Sequence, residues 1–264
     1  MHKWINRTLA LAAFAFALPL QAAERLVVVS SDIAEIVVAL GAAGEVVGRD
    51  RSSRMPELAH AGEIGFVRSL SAETIARARP TLVLGSAAAQ PPGIWRQLQS
   101  LGLRAEEVSL AEDGSDFAQA IQRVGTLVGK PAAAAALARD WQTKMAAQPA
   151  SARRYLISYD GTMVAGSGTP ADTLIRAAGG VNAAGQIKGY KTLSREAWRT
   201  LAPDVIILAA HNTPVHGGAT VFARRPEIAA TAAGKTGKVV ELSARDAMMV
   251  TLDSPAVVKR LRRL

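Results

Sequence analysis

From Arg25 onward, short runs of β-branched and aliphatic residues alternate with segments whose apolar positions recur at helical spacing. RLVVVS reads as a buried strand, and SDIAEIVVALGA as a helix that Asp32 caps and Gly41 ends. VVGRD is a second strand. TLVLGS is a third, followed by a turn at Pro91 and Pro92, the helix IWRQLQSLG and the strand RAEEVSL. After a long helical stretch the alternation resumes with strands YLISYD and TMVAGSG, the helix ADTLIRAAGG and a short strand in PDVII. A loop, AAHNTPVHGGATVFARRP, then leads to the strand KVVELS and a last helix, SPAVVKRLRRL. Strands alternating with helices predict parallel sheets with helices on their faces.

One phrase occurs twice. LSAETIARARPTLVL, beginning at Leu70, returns 123 residues later as LSREAWRTLAPDVII, so that Leu70, Ser71, Glu73, Pro80, Val83 and Leu84 match Leu193, Ser194, Glu196, Pro203, Ile206 and Ile207. Each copy has a serine suited to cap a helix, a carboxylate in the first turn, two helical turns, a proline break and a buried strand. Two copies are too few for a solenoid; they predict two pseudo-symmetric α/β lobes with a cleft between them. The stretch 116–148 between the copies has almost pure helical propensity, broken at Gly129 and Pro131. The expected division is an N-terminal lobe over 24–128, a connecting helix over 129–150 and a C-terminal lobe over 151–264. A helix in that place joins the lobes stiffly, where a Gly/Ser linker would let them swing widely.

Residues 1–23 read as a secretory signal: Lys3 and Arg7, an apolar run from Leu9 to Leu20, then Ala22 and Ala23. That run is shorter than the roughly 20 residues a membrane span needs, so cleavage and a periplasmic location without membrane embedding are expected. The absence of cysteine excludes disulfides, thiolate metal sites and a lipid-modified N-terminal cysteine. The formal charge is +9; without Lys3 and Arg7, 29 basic residues face 22 acidic ones, a net of +7. Such a balance favours an anionic ligand or surface. Nucleic acid is disfavoured, because the basic residues are scattered and only three tyrosines offer stacking.

GSGTPA, from Gly166 to Ala171, fits G-x-G-x-x-[GA] between a strand and a helix, the pattern of a dinucleotide site in an exported nucleotide-dependent enzyme. The acidic residue such a site needs for the ribose is missing from Thr173 to Arg195. The plainer reading is a tight turn that aims helix amides, with Pro170 in the first turn, at a ligand carboxylate or carbonyl. No phosphate loop is present, since GKT at Gly234–Thr236 and VGKP at Val128–Pro131 both lack its spacing. A hydrolase triad has no support either: Ala165 stands where G-x-S-x-G needs its first glycine. His60 falls in a loop, while His211 and His216 flank Pro214 at the carboxyl end of a strand, the usual binding edge of a parallel sheet. Glu73 and Glu196 each complement a helix dipole, and as one carboxylate per lobe they also form two equivalent knobs for a two-fold partner.

Taken together, RLVVVSSDIAEIVVALGA, VVGRD, GFVRSLSAETI, SAAAQPP, MVAGSGTPADTLIRAAGGVNAA and GYKTLSREAW resemble the periplasmic binding proteins of ABC importers for metal chelates. That group carries vitamin B12, ferric siderophores and hemin, and the resemblance is strongest to its hemin-binding branch. It covers essentially the whole mature chain. It implies two α/β lobes joined by a long helix, binding without catalysis, hemin as transported ligand, and a monomer that serves a permease dimer with its ATPase. Glu73 and Glu196 match the glutamates that engage permease arginines in the wider group.

The hemin branch usually shows Gly-Tyr-x-Arg before the LSAE phrase, the tyrosine ligating iron and the arginine supporting it. This chain has Gly65, Phe66, Val67 and Arg68. A phenyl ring has no lone pair to give iron, so ligation does not carry over to this position. DAMMVTLDSP also departs from the glycine- and aromatic-containing loop of that branch, though Met248 and Met249 suit an apolar pocket. Three readings follow. Phe66 stacks on a porphyrin whose propionates meet Arg68 and Arg51; or iron is ligated from the second lobe by Tyr190 or His211; or the cleft serves another chelate, such as cobalamin or a ferric siderophore. Ser167 completes the expected ligand-binding set.

Overall fold

The computed structural model describes residues 24–264, so the signal segment expected over 1–23 lies outside the described residues. Its first sheet comprises β1 (Leu26–Val28), β2 (Val46–Arg49), β3 (Gly62–Glu63), β4 (Leu82–Ser86) and β5 (Ala105–Ser109), in the order β3-β2-β1-β4-β5 with every pair parallel. Leu26, Val28, Leu82 and Leu84 face one helical layer and Val27, Val29 and Val83 the other, all fully buried. Burial on both faces is why these strands read as unbroken apolar runs. Of helices α1 (Ser31–Ala39), α2 (Ala72–Arg77), α3 (Ile94–Ser100) and α4 (Phe117–Leu127), α1 and α4 cover the first face, α2 and α3 the second.

α5 (Pro131–Met145) follows α4 closely enough that a Cβ on Gly125 would lie 2.0 Å from the Ala134 methyl, so only glycine admits this approach. Beyond α5, the second sheet contains β6 (Arg154–Ser158), β7 (Met163–Ala165), β8 (Val181–Asn182), β9 (Tyr190–Thr192), β10 (Val205–Ala209) and β11 (Val239–Leu242). The order is β11-β10-β6-β7-β9, with β8 also paired to β6. β10 is parallel to β6 and β11, but β7 runs antiparallel to both β6 and β9. The departure from a wholly parallel sheet has a local cause. Asp160 Oδ1 accepts the N–H groups of Thr162 (2.8 Å) and Met163 (2.7 Å), which turns the chain straight back after β6.

Helices α6 (Pro170–Ala177) and α7 (Arg195–Thr200) precede β10, and α8 (Thr213–His216), α9 (Gly218–Ala223), α10 (Pro226–Ala229) and α11 (Ala232–Lys235) separate it from β11. α12 (Ala244–Met248) and α13 (Ser254–Arg263) finish the chain. The stretch read as a loop after β10 therefore holds α8 and α9: Pro214 starts the first, and Phe222, 1% exposed, anchors the second in the core. No helix among the described residues is long and apolar enough to cross a membrane.

The duplication extends to individual hydrogen bonds. α7 and β10 repeat α2 and β4 at an offset of 123 residues. Ser71 Oγ accepts the Thr74 N–H and Ser194 Oγ the Ala197 N–H, both at 3.4 Å. Arg79 and Ala202 both take left-handed backbone, φ 50° and 45°, ahead of Pro80 and Pro203, which disfavour the right-handed helical region for the residue before them. The Arg25 N–H then donates to Thr81 Oγ1 and the Arg154 N–H to Asp204 Oδ2, each at 2.8 Å. Their guanidinium groups cap the preceding helix, Arg25 through the Arg79 carbonyl (2.9 Å) and Arg154 through that of Leu201 (3.0 Å).

The lobes touch beyond α5. After α12, which packs on β10 and α6, residues 249–252 cross back to the first lobe. Val250, 4% exposed, joins the first-lobe core, and the Thr251 carbonyl accepts Trp141 Nε1–H of α5 at 2.9 Å.

Candidate functional site

On the first lobe, the carboxyl end of β2 leads into a loop tied by Asp50. Its fully buried carboxylate accepts the Ser52 N–H at 2.9 Å and the Ser53 hydroxyl. This fixes Arg51, whose N–H donates to the Gly65 carbonyl (2.7 Å) and whose guanidinium pairs with Glu63 at 2.8 Å. Phe66 follows, its ring 40% exposed. The turn from Phe66 to Ser69 closes through Ser69 N–H to Phe66 O at 2.8 Å, and Gln90 N–H to Val67 O at 2.7 Å holds it to the next loop. Arg68 makes no salt bridge among the described residues, which leaves its fork available.

On the second lobe the G-x-G turn serves the fold. A Cβ on Gly166 would lie 2.0 Å from the Ile187 carbonyl, because segment 187–189 is stitched against this turn. Ser167 N–H donates to Ile187 O (2.7 Å), Ser167 Oγ to the same oxygen (3.0 Å), and Gly189 N–H to Ser167 O (2.9 Å). The expectation that α6 amides face the ligand is not met. Thr169, 1% exposed, caps the helix, and the buried Asp172 carboxylate in its first turn takes Asn182 Nδ2–H (3.0 Å) and Arg176 (3.2 Å). What the turn does is place Tyr190, paired with Ala165 at the start of β9 and 45% exposed.

Beyond the carboxyl ends of β6 and β10, Tyr159 and His211 pack edge to face, ring centroids 4.8 Å apart, and Asn212 Nδ2 donates to the Tyr159 carbonyl at 2.8 Å. Tyr159 was not singled out from the sequence; the signal was an aromatic at the exposed end of an otherwise buried strand. His216 lies in the core instead, 1% exposed. Its Nδ1 accepts the Gly218 N–H (3.1 Å), which leaves Nε2–H to donate to the Ala209 carbonyl (3.3 Å).

The two sides meet electrostatically at Tyr190. Protein crowding its phenol pushes the pKa above the ordinary tyrosine value; the first lobe's Arg68 pulls it down, and Glu112 adds a smaller upward push. The Arg68 charge thus acts on Tyr190 from the opposite lobe, His211 and Tyr159 pack together from neighbouring strands, and Arg51 is occupied by Glu63. Glu73 and Glu196 are exposed in the first turns of α2 and α7; the Ser71 hydroxyl donates to Glu73 at 2.8 Å, and backbone and Ser194 hydrogen bonds hold the Glu196 carboxyl below its usual range. Two open hollows, about 480 and 280 Å³, lie away from this edge, at Ser151–Arg153 with Arg262 and between α5 and α13.

Two like α/β lobes, joined along one side, with aromatic and cationic side chains at the carboxyl ends of their strands, define a carrier that holds a small ligand between lobes. The chain belongs to the periplasmic binding protein family, whose model matches residues 26–245. It is similar to the periplasmic heme-binding protein RhuT from Roseiflexus sp. RS-1 in apo form, with 30% identity and a TM-score of 0.81 over 91% of this chain and 97% of that one. The periplasmic heme-binding protein BhuT in complex with two hemes matches at 32% identity and TM-score 0.81, with the same coverage, 91% and 97%. HutB of Vibrio cholerae, another periplasmic heme-binding protein, matches at 26% identity and TM-score 0.80 over 92% of this chain and 98% of that one. No curated protein matches the chain. These likenesses agree with the hemin-binding branch that the sequence phrases resemble.

Proposed function

We propose that this protein captures heme between its lobes in the periplasm and delivers it, as a monomer, to an ABC permease dimer with its ATPase. The observation that carries the reading is the exposure of Phe66 and Arg68 on the first lobe and of Tyr190 and His211 on the second, with the Arg68 charge acting on the Tyr190 phenol. Tyr190 is a phenol in the resting protein, since burial outweighs the pull of Arg68 on its pKa, and it would give up its proton on ligating ferric iron, with the Arg68 cation favouring the phenolate so formed. The usual tyrosine–arginine combination is thereby shared between lobes, with Phe66 left to stack on the porphyrin face. Likeness to three proteins named as heme-binding supports heme over cobalamin or a siderophore. Arg68, and Arg51 after exchanging Glu63, pair with propionates; Ser167 lines the same edge. Lobes over 24–128 and 151–264, joined by 129–150, present Glu73 and Glu196 together to the permease.

Hemin titration of the mature protein followed by absorbance tests this. Saturable binding with an oxygen-ligand spectrum that Tyr190→Phe abolishes and His211→Ala leaves intact is the expected result. A nitrogen-ligand spectrum lost in His211→Ala moves ligation to the histidine, whose ring already lies at the strand edge. Absence of saturable binding by wild type, with binding restored by Phe66→Tyr, would mean that the cargo has changed.

A further inference from the structure

On the side of the second lobe where its strands begin, the linker leaving α5, the C-terminus of α6 and the last turn of α13 line an open hollow of about 480 Å³. Its walls include Arg153 and Arg262, from segments 109 residues apart. Neither guanidinium has a carboxylate within salt-bridge distance among the described residues. Each is steered by a single long bond to backbone: Arg153 Nη1 donates to the Arg262 carbonyl and Arg262 Nη1 to that of Ala178, both at 3.4 Å. A guanidinium has five N–H donors in a fixed fork, so most remain free on both sides. The one carboxylate in the wall, Asp204, already accepts the Arg154 N–H through Oδ2 at 2.8 Å. Tyr155, which forms the floor, spends its hydroxyl on the Leu261 carbonyl at 2.9 Å.

We propose that this hollow is a second binding site, separate from the interlobe cleft, for a phosphate-class oxyanion held between Arg153 and Arg262. Two forks of this kind match a doubly charged tetrahedral oxyanion, and the volume leaves room for an organic substituent on it. An occupant ties the linker to α13 and so braces the place where the chain enters the second lobe.

The test is thermal unfolding and calorimetry of the mature chain with inorganic phosphate, against chloride at equal ionic strength. A saturable rise in Tm with phosphate is expected. Arg153→Gln and Arg262→Gln each weaken phosphate binding about tenfold or more, with Tm in chloride little changed. In the wild-type chain, phosphate should shift the amide NMR signals of Ser151, Ala152 and Arg153, a readout that needs no variant. An equal rise in the double variant, or shifted amides clustered elsewhere, overturns the site. Glycerol 3-phosphate and phosphatidylglycerol vesicles distinguish the sources: phosphate-competed vesicle binding lost in the double variant identifies a lipid headgroup, and response to the soluble ester alone identifies a free phosphate compound.

Discussion

Arg245 of α12 and Glu35 of α1 stand 210 residues apart in sequence and 2.6 Å apart in space, Nε to Oε1. The same guanidinium reaches Asp253 at 2.8 Å, and the Leu252 N–H donates to Glu35 Oε2 at 3.4 Å. One arginine therefore fastens the returning segment 249–252 to the first lobe. Burial pushes the Glu35 carboxyl above its usual pKa, and Arg245 opposes the shift.

Replacing Arg245 with Met should destabilise the protein by about 1–3 kcal/mol, less than for a fully enclosed pair because the Arg245 side chain is 37% exposed. The loss should depend on pH in a definite direction. A carboxyl whose folded pKa is raised binds more protons folded than unfolded, so its contribution falls as pH rises through that window. Without Arg245 the Glu35 shift grows, and the variant's deficit should shrink between pH 7.5 and pH 5 in urea unfolding. A deficit that is flat with pH would rule out Glu35 as the partner.

At Gly125, helix propensity and packing oppose each other. Alanine gains up to roughly 1 kcal/mol in a helix interior, but a methyl 2.0 Å from that of Ala134 forces α4 and α5 apart at a cost of about 1–3 kcal/mol. Gly125→Ala should lower Tm by about 2–4 °C, and Gly125→Ala/Ala134→Gly should recover most of it. Stabilisation by the single change would mean that the two helices are not in firm contact.

Hemin affinity should rise with pH if Tyr190 ligates iron. Ligation requires the phenolate, and a phenol with a raised pKa is fully protonated near neutrality, so binding releases a proton. The Kd should fall by up to about tenfold per pH unit between pH 6 and 8. Tyr190→Phe should flatten that slope and weaken binding; an unchanged slope would assign the proton to another group.

Reversing both Glu73 and Glu196 to lysine should abolish heme uptake while hemin affinity stays at the wild-type value and Tm falls only slightly, since both carboxylates are exposed and only their pairing with a helix dipole is lost. Each single reversal should give an intermediate rate. Transport by the double variant at the wild-type rate would remove these residues from the docking surface.

Much of this architecture was legible because it is local. Runs such as RLVVVS and TLVLGS bury both faces, and LSAETIARARP contains its own cap, helix and break, so its second occurrence revealed the duplication. β3 and β8, two residues each, are too short to carry a period, and β9 is exposed along its length. Their existence depends on partners supplied from elsewhere in the chain. The equivalence of Arg25 and Arg154 was hidden because Thr81 and Asp204 accept equivalent bonds with different chemistry. Glu35 did leave a trace: apart from Asp32 at its start, it is the one charge in the otherwise apolar SDIAEIVVALGA. The cleft was harder to read, because the influence of Arg68 on Tyr190 depends on how two lobes are set against each other.

The returning segment 249–252, with Val250 in the first-lobe core and Thr251 bonded to Trp141, changes how this carrier must be recognised. If both ties hold during loading, the molecule keeps nearly the same outline full or empty. Its membrane partner then has little in the silhouette to inspect before engaging it. Unloaded molecules should therefore compete with loaded ones for the same landing place, and transport should slow when the carrier is supplied in excess of its cargo.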